Sequence, residues 1–353
     1  MSDGAARPHQ YGRHTHRAPG EPPSEAGRRR AEDQFRPYQG EHYYDLPVVK
    51  PSSWRWLVTS YFFVGGLAGA AQIVATMADL FGGPSQRPVV RAGRYLAFIG
   101  TLISPVLLIL DLHTPARWYN MLRIARRTSP MSIGSWILSA FGLASSIAVA
   151  AEIFAQRSNR PRVPGFGRIA GIAGAVIGTA MSTYTATLLS ATSTPLWLTG
   201  ARHLPVLFGS TAMASAAAAT SLTLDATSND MAHRRPLSAL AMLSAIAQLW
   251  SMRGLESAWS GSGIQSPNDE PSLHILDTAL VKGVGIAAPM VVHLTMLGTG
   301  IGLRYLNVLA AIATLAGGFA ERWLIVTAGN RSTNRPSDYF GISQPAMSEP
   351  HGP

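Results

Sequence analysis

The chain has 353 residues, of which 47% are hydrophobic and only 14% charged, with a formal net charge of +10 at pH 7 and no cysteine. Soluble globular domains carry about 25% charged residues, and long charge-free runs exclude a soluble helical bundle, whose helices need a polar face at every turn. Without cysteine the chain itself holds no disulfide, thiolate-bound iron-sulfur cluster or cysteine-attached haem, so any metal centre belongs to a partner.

Residues 1–40 are rich in Arg, Pro, Gly, Glu and His and contain no apolar segment, which predicts a disordered tail and not a secretory signal peptide. Residues 1–53 hold eight basic and seven acidic residues, so the positive charge sits in the membrane part and its loops, available to anionic lipid or a partner. These arginines flank apolar spans instead of sharing one soluble face, which argues against nucleic acid. Residues 41–53, aromatic and broken by proline, are expected in the membrane interface, with Trp54 and Trp56 at headgroup level.

From 54 to 328 the sequence predicts an all-α, polytopic membrane bundle of eight helices, followed by a flexible tail over 329–353. A span needs about 20 mostly apolar residues, and the runs that qualify lie near 56–78, 94–113, 132–154, 168–190, 204–225, 237–258, 282–303 and 307–326. The first contains Gly65, Gly66 and Gly69, a small-residue face for close helix packing. The second ends in LDLHTPARWYNML, where Asp111, His113 and Arg117 appear beside an aromatic pair. Ionisable groups at that depth are costly unless they pair or meet water.

Glu152 and Asp225 close the third and fifth spans, where exposure to water accounts for them and a path for protons is the alternative. The fourth span carries Tyr184 beside a stripe of Thr179, Thr183, Thr187 and Ser190 at helical spacing, and the next loop carries Trp197. Arg253 and Glu256, three residues apart, are placed to pair. The longest loop covers 260–274. His293, four residues after Pro289, either bonds a carbonyl freed by the proline or relays a proton. Glu321 and Arg322 lie deep enough to require partners on other helices. Because spans alternate, Lys50, Asp111, His113, Arg117, Tyr184, Trp197 and the longest loop fall at one membrane face. Lys and Arg are divided almost evenly between the faces, so the positive-inside rule does not orient the chain.

Three segments together, YYDLPVVKPSSW at 43–54, LDLHTPARWYNML at 110–122 and YTATLLSATSTPLW at 184–197, combined with eight spans, resemble the NrfD-like, polysulfide-reductase-type membrane subunits. The resemblance implies a multi-pass protein of the bacterial cytoplasmic membrane that binds quinone, menaquinone or ubiquinone, as substrate. It implies electron exchange between the quinone pool and a ferredoxin-type iron-sulfur subunit attached to a molybdopterin-type or related catalytic subunit. Proton translocation is a possible addition, and the chain is not expected to be catalytic alone. The sequence departs from the family pattern at Asp45 and Ala186, where glycine is common, and at His113 and Thr114, where a small residue and an arginine are usual. That leaves Arg117 and the neighbouring loop to balance Asp111.

Quinol oxidation releases two electrons and two protons, so its site needs an apolar slot, polar groups on the ring oxygens and a proton exit. Tyr184 can donate to a carbonyl and accept from a hydroxyl, and Asp111 or His113 can take a proton. Trp54 and Trp197 either anchor the helices in the interface or stack on a ring; Lys50 either snorkels to headgroups or reaches the ring. Glu152, Asp225, His293, Glu321 and Arg322 form the proton-path set. One central histidine does not suffice for bis-imidazole haem, so no intrinsic haem is expected. The rival readings are a secondary transporter or proton channel, which would favour internal repeats absent here, and a purely structural anchor.

Overall fold

The computed structural model describes residues 49–123, 125–158, 163–227, 234–299 and 303–343. The predicted tail over 1–40, most of the interfacial segment 41–53 and residues 344–353 lie outside these. Among the described residues every regular element is helical, as the sequence predicts. Eight long helices carry the architecture: α1 Trp56–Phe81, α2 Arg87–Asp111, α3 Pro130–Arg157, α4 Gly165–Ser190, α5 Leu204–Thr227, α6 Arg234–Gly261, α7 Pro271–Thr299 and α8 Arg304–Ser332.

Helix α1 is the central post, packed on α2, α4, α5 and α8. It can be central because its small residues let backbones approach. A Cβ on Gly178 of α4 would stand 2.6 Å from the Gly69 carbonyl oxygen, so only glycine fits that crossing. Ser182 reinforces it by donating to Gly66 O at 3.1 Å. Where hydrocarbon surrounds the bundle, such close packing and interhelical hydrogen bonds replace hydrophobic association. Outward-facing mid-helix residues are large and apolar: Leu102, Leu143, Val176, Leu243, Val291 and Leu309 are all exposed. An apolar surface of that extent suits lipid, not water.

Seven of the long helices are apolar enough to cross a bilayer by length and composition, so the count of eight is not borne out on that criterion. Helix α6 has the length, 28 residues, but Ser238, Ser244, Gln248 and Ser251 interrupt its apolar run, and all four are buried. It lies antiparallel along α5: Arg234 in its first turn pairs with Asp225 at the end of α5, Ser251 donates to His203 O, and Trp259 donates to Leu196 O ahead of α5.

Several boundaries differ from expectation. Helix α2 starts at Arg87, ahead of the expected start near 94, so Arg87, Arg91 and Arg94 occupy its first turns. Helix α8 continues past Val326 to Ser332, and a short helix, Pro336–Ser343, follows it. Helix α7 begins at Pro271, not near Lys282, and winds in three ways: α over Pro271–Ile275, π over Leu276–Ala287, α again over Ala288–Thr299. A π-helical stretch of that length is rare.

Candidate functional site

Helices α1, α2, α3 and α4 enclose a cavity near one membrane face, with about 520 Å³ of empty space including its mouth. Its wall combines Trp54 just before α1, Val58, Tyr61 and Phe62 from the start of α1, Leu108 and Asp111 from the end of α2 with Leu112 just after it, Gly134 and Ser135 from the start of α3, and Tyr184 and Leu188 from the end of α4. Each helix contributes residues three or four apart, such as Val58 and Tyr61, Leu108 and Asp111, Met131 and Gly134, and Tyr184 and Leu188, the repeat that aligns side chains on one face. Asp111 and Tyr184 therefore face the same space.

Tyr184 donates its hydroxyl hydrogen to the carbonyl of Pro130, the first residue of α3. Gly134, one turn on, is what lets the phenol ring approach: a Cβ there would lie 2.5 Å from both Cε1 and Cζ of Tyr184. With its hydrogen committed, the phenol oxygen still has lone pairs for an incoming hydroxyl, and it can donate elsewhere by releasing Pro130. Asp111 is half-buried at the last position of α2. The charged neighbours that act on it are Arg55 and His113, not Arg117 as the sequence suggests, because the chain turns away after Leu112 into the short helical turn Pro115–Arg117.

Trp54 forms one side of the cavity, edge-on to Phe62 at 5.9 Å and stacked on Trp197 at 5.5 Å. Trp197 is 0% exposed. It neither lines the cavity nor sits in an aromatic belt; its indole lies against Gly329 of α8 and donates to Ile325 O at 2.8 Å. Its place is behind Trp54, fixing that ring. Ser52 donates to Asn330 Oδ1 from both its amide, at 3.1 Å, and its hydroxyl, at 2.7 Å, which ties the approach to α1 onto α8. Lys50, His113 and Arg117 are exposed and outside the wall.

Tyr61, buried at 3% exposure, and the methionines Met121 and Met131 also line the cavity, and the sequence reading missed them. The spacing Trp54, Val58, Tyr61 carried the signal for the first. An apolar groove of about 740 Å³ adjoins the cavity on the outer surface between α2 and α3, lined by Pro105, Leu108, Trp118, Met121, Ser135 and Leu138 among others. Leu108, Met121 and Ser135 belong to both walls.

The proton-path set does not form one column. Glu152 is fully buried, correcting the reading that water solvates it. It sits at the opposite end of the bundle under Arg94, at 3.2 Å, and Arg87, at 3.0 Å, with Arg91 at 3.7 Å. Arg94 also reaches Asp79 at 3.4 Å, and Arg168 closes the network on Asp79 at 3.2 Å. Asp225 is likewise buried, not solvated: it pairs with Arg234 at 2.6 Å and accepts from Asn307 at 2.5 Å. His293 finds Ser238 Oγ at 3.1 Å, not a carbonyl released by Pro289.

Glu321 and Arg322 pair with each other at 2.5 Å. They also bond to α5, where Thr211 donates to Glu321 Oε2 at 2.6 Å and Arg322 donates to Phe208 O at 2.7 Å. Glu256 pairs with Lys282 at 2.7 Å instead of Arg253. Among the described residues no group of three or more His, Asp and Glu is arranged to hold a metal ion.

Residues 47–333 match the protein family described as polysulphide reductase, NrfD, and the chain belongs to that family. Its members are membrane subunits of quinone-linked oxidoreductases. No curated protein matches the chain.

Proposed function

We propose that this NrfD-family chain is the quinone-reactive membrane subunit of a multi-subunit oxidoreductase, and that the Tyr184–Asp111 cavity takes the quinone ring. The observation that carries the reading is the pairing of that cavity with the outer groove: a polar-rimmed slot for a head group runs on into an apolar channel suited to a prenyl tail. Tyr184 engages one ring oxygen, and Asp111, beside His113 and water, receives a proton as quinol is oxidised. Trp54, backed by Trp197, supplies the flat apolar wall. Electrons leave to an iron-sulfur partner docked at that membrane face, itself joined to a molybdopterin-type or related catalytic subunit. With α6 taken as the eighth span, because it runs the full length of α5, the chain is an eight-span protein of the bacterial cytoplasmic membrane.

The test is quinol-dependent reduction of the partner in the assembled complex. Tyr184→Phe and Asp111→Asn are expected to slow it by about 10²-fold or more, the usual range for loss of a positioned acid-base group, with assembly intact. Undiminished rates in both variants would refute the assignment.

A further inference from the structure

A second cavity lies among α5, α6, α7 and α8. It is lined by Glu256 and Trp259 of α6, Asn268 of the following loop, Asp277 and Lys282 of α7, Leu207 of α5, and Glu321 and Leu324 of α8. It has room for a water molecule. The side chains along it lose solvent in order: Glu256 is 39% exposed, Lys282 28%, Asp277 7% and Glu321 1%. Lys282 Nζ bridges the first step, 2.7 Å from Glu256 and 2.6 Å from Asp277. Asn268 donates to Glu256 at 3.2 Å, while its own buried Oδ1 has no protein donor.

The unusual winding of α7 explains the Asp277–Lys282 pair. Five residues apart on an α-helix, two side chains diverge by roughly 140° at 3.6 residues per turn. The i→i+5 repeat of a π-helix stacks them, and both residues lie inside the π segment. Beneath the pocket, α7 and α8 meet backbone to backbone: a Cβ on Gly285 would stand 2.6 Å from Gly317 Cα, one turn from Glu321 toward the opposite face. Glu321 itself lies eleven residues before Ser332 on α8, roughly 16 Å along the helix. The charges do not balance. Three carboxyl groups, Glu256, Asp277 and Glu321, face two cations, Lys282 and Arg322, and α5 adds only the Thr211 hydroxyl. Lys282 is shared by Glu256 and Asp277, so the surplus carboxyl is on that outer pair, while Glu321, paired with Arg322 and enclosed at 1% exposure, bears the largest desolvation cost of ionisation.

We propose that this pocket is a proton-exchange site: Glu321 takes up and releases a proton through Asp277, Lys282 and Glu256 from the membrane face that carries Tyr184, and the Gly285–Gly317 contact closes the path to the other face. The proposal stands apart from the quinone reading, and its test uses neither quinone nor partner.

The chain lacks cysteine, so single replacements report access directly. In full-length protein in sealed, sided vesicles, Glu256→Cys, Lys282→Cys, Asp277→Cys and Glu321→Cys are expected to react with a small water-soluble thiol reagent from the Tyr184 face. Rates should fall along that series, by roughly tenfold or more overall as access narrows. Thr314→Cys, three residues beyond Gly317 toward the other face, should not react from that face. Reaction of Glu321→Cys from the opposite face would overturn the route. In parallel, infrared spectra of the purified chain should contain a carboxylic-acid band that titrates with pH and exchanges in deuterium oxide. That band should vanish in Glu321→Gln and exchange more slowly in Asp277→Asn. A Glu321→Gln spectrum identical to the parent's, with Glu321→Cys unreactive, would refute proton exchange there. Glu321→Gln keeps a hydrogen-bonding group beside Arg322 and Thr211, so the spectroscopic arm remains decisive if Glu321→Cys fails to fold.

Discussion

Gly134→Ala tests whether the Tyr184 ring is seated by the bare backbone of α3. In isolation the replacement should stabilise, because alanine exceeds glycine in helix preference by about 1 kcal/mol. Here the new methyl would lie 2.5 Å from two ring carbons of Tyr184, where ordinary contact begins near 3.4 Å. Relief requires the ring to move by about 1 Å, at an overpacking cost of about 1–3 kcal/mol. It also breaks the hydroxyl bond to Pro130, worth about 0.5–1.5 kcal/mol. The expected net effect is a loss of about 1–3 kcal/mol, together with weaker binding of a quinol analogue, because the displaced phenol enters the cavity.

Denaturant unfolding of the detergent-solubilised chain gives the first quantity, and quenching of the Trp54 fluorescence by the analogue gives the second. The decisive comparison is Gly134→Ala in a Tyr184→Ala background, where the clash is gone and the alanine should stabilise. If Gly134→Ala is equally destabilising with and without the Tyr184 ring, the seating argument fails.

Arg94→Lys should destabilise nearly as much as Arg94→Ala. The fully buried guanidinium reaches Glu152 and Asp79 at once, a fork that a single ammonium does not reproduce. Breaking a buried pair costs about 3–5 kcal/mol, and the yield of folded protein from membranes would report it; a healthy Arg94→Ala would show the network to be dispensable. Asp338, in the short helix after α8, accepts from the Gln265 amide at 3.5 Å and faces Arg335. Burial holds its carboxyl above the usual range, despite those opposing contacts. A raised folded-state value means its contribution is fully present below about pH 4, the ordinary aspartate value, and is lost as pH rises through the raised one. Asp338→Asn should therefore flatten that part of the stability-pH curve; an unchanged curve would place the titration elsewhere. Trp197→Phe removes the bond to Ile325 O and the full stack behind Trp54, and should lower stability by about 1–2 kcal/mol while loosening analogue binding; tight binding in that variant would show that Trp54 needs no backing.

Long unbroken apolar runs and the scarcity of charge fixed the class of the molecule, because in hydrocarbon a continuous apolar segment of about 20 residues satisfies its backbone as a helix. The alternation of spans also assigned Asp111, Tyr184 and Trp197 to one face without any coordinates. What the sequence could not decide was which side chains share a space and which are screened. Trp197 and Glu152 stand where interface residues stand in the linear order, yet both are wholly enclosed, since enclosure depends on neighbouring helices distant in sequence. Tyr61 and Gly134 escaped notice because neither is unusual by itself; each matters through what crosses it. Asp277 and Lys282 escaped for another reason: spaced five apart they diverge on an α-helix, and only the π winding of α7, held against α8 at Gly285 and Gly317, turns them to the same side. Composition set the solvent, and tertiary packing set the contacts, because contacts between helices depend on crossing geometry that no local pattern encodes.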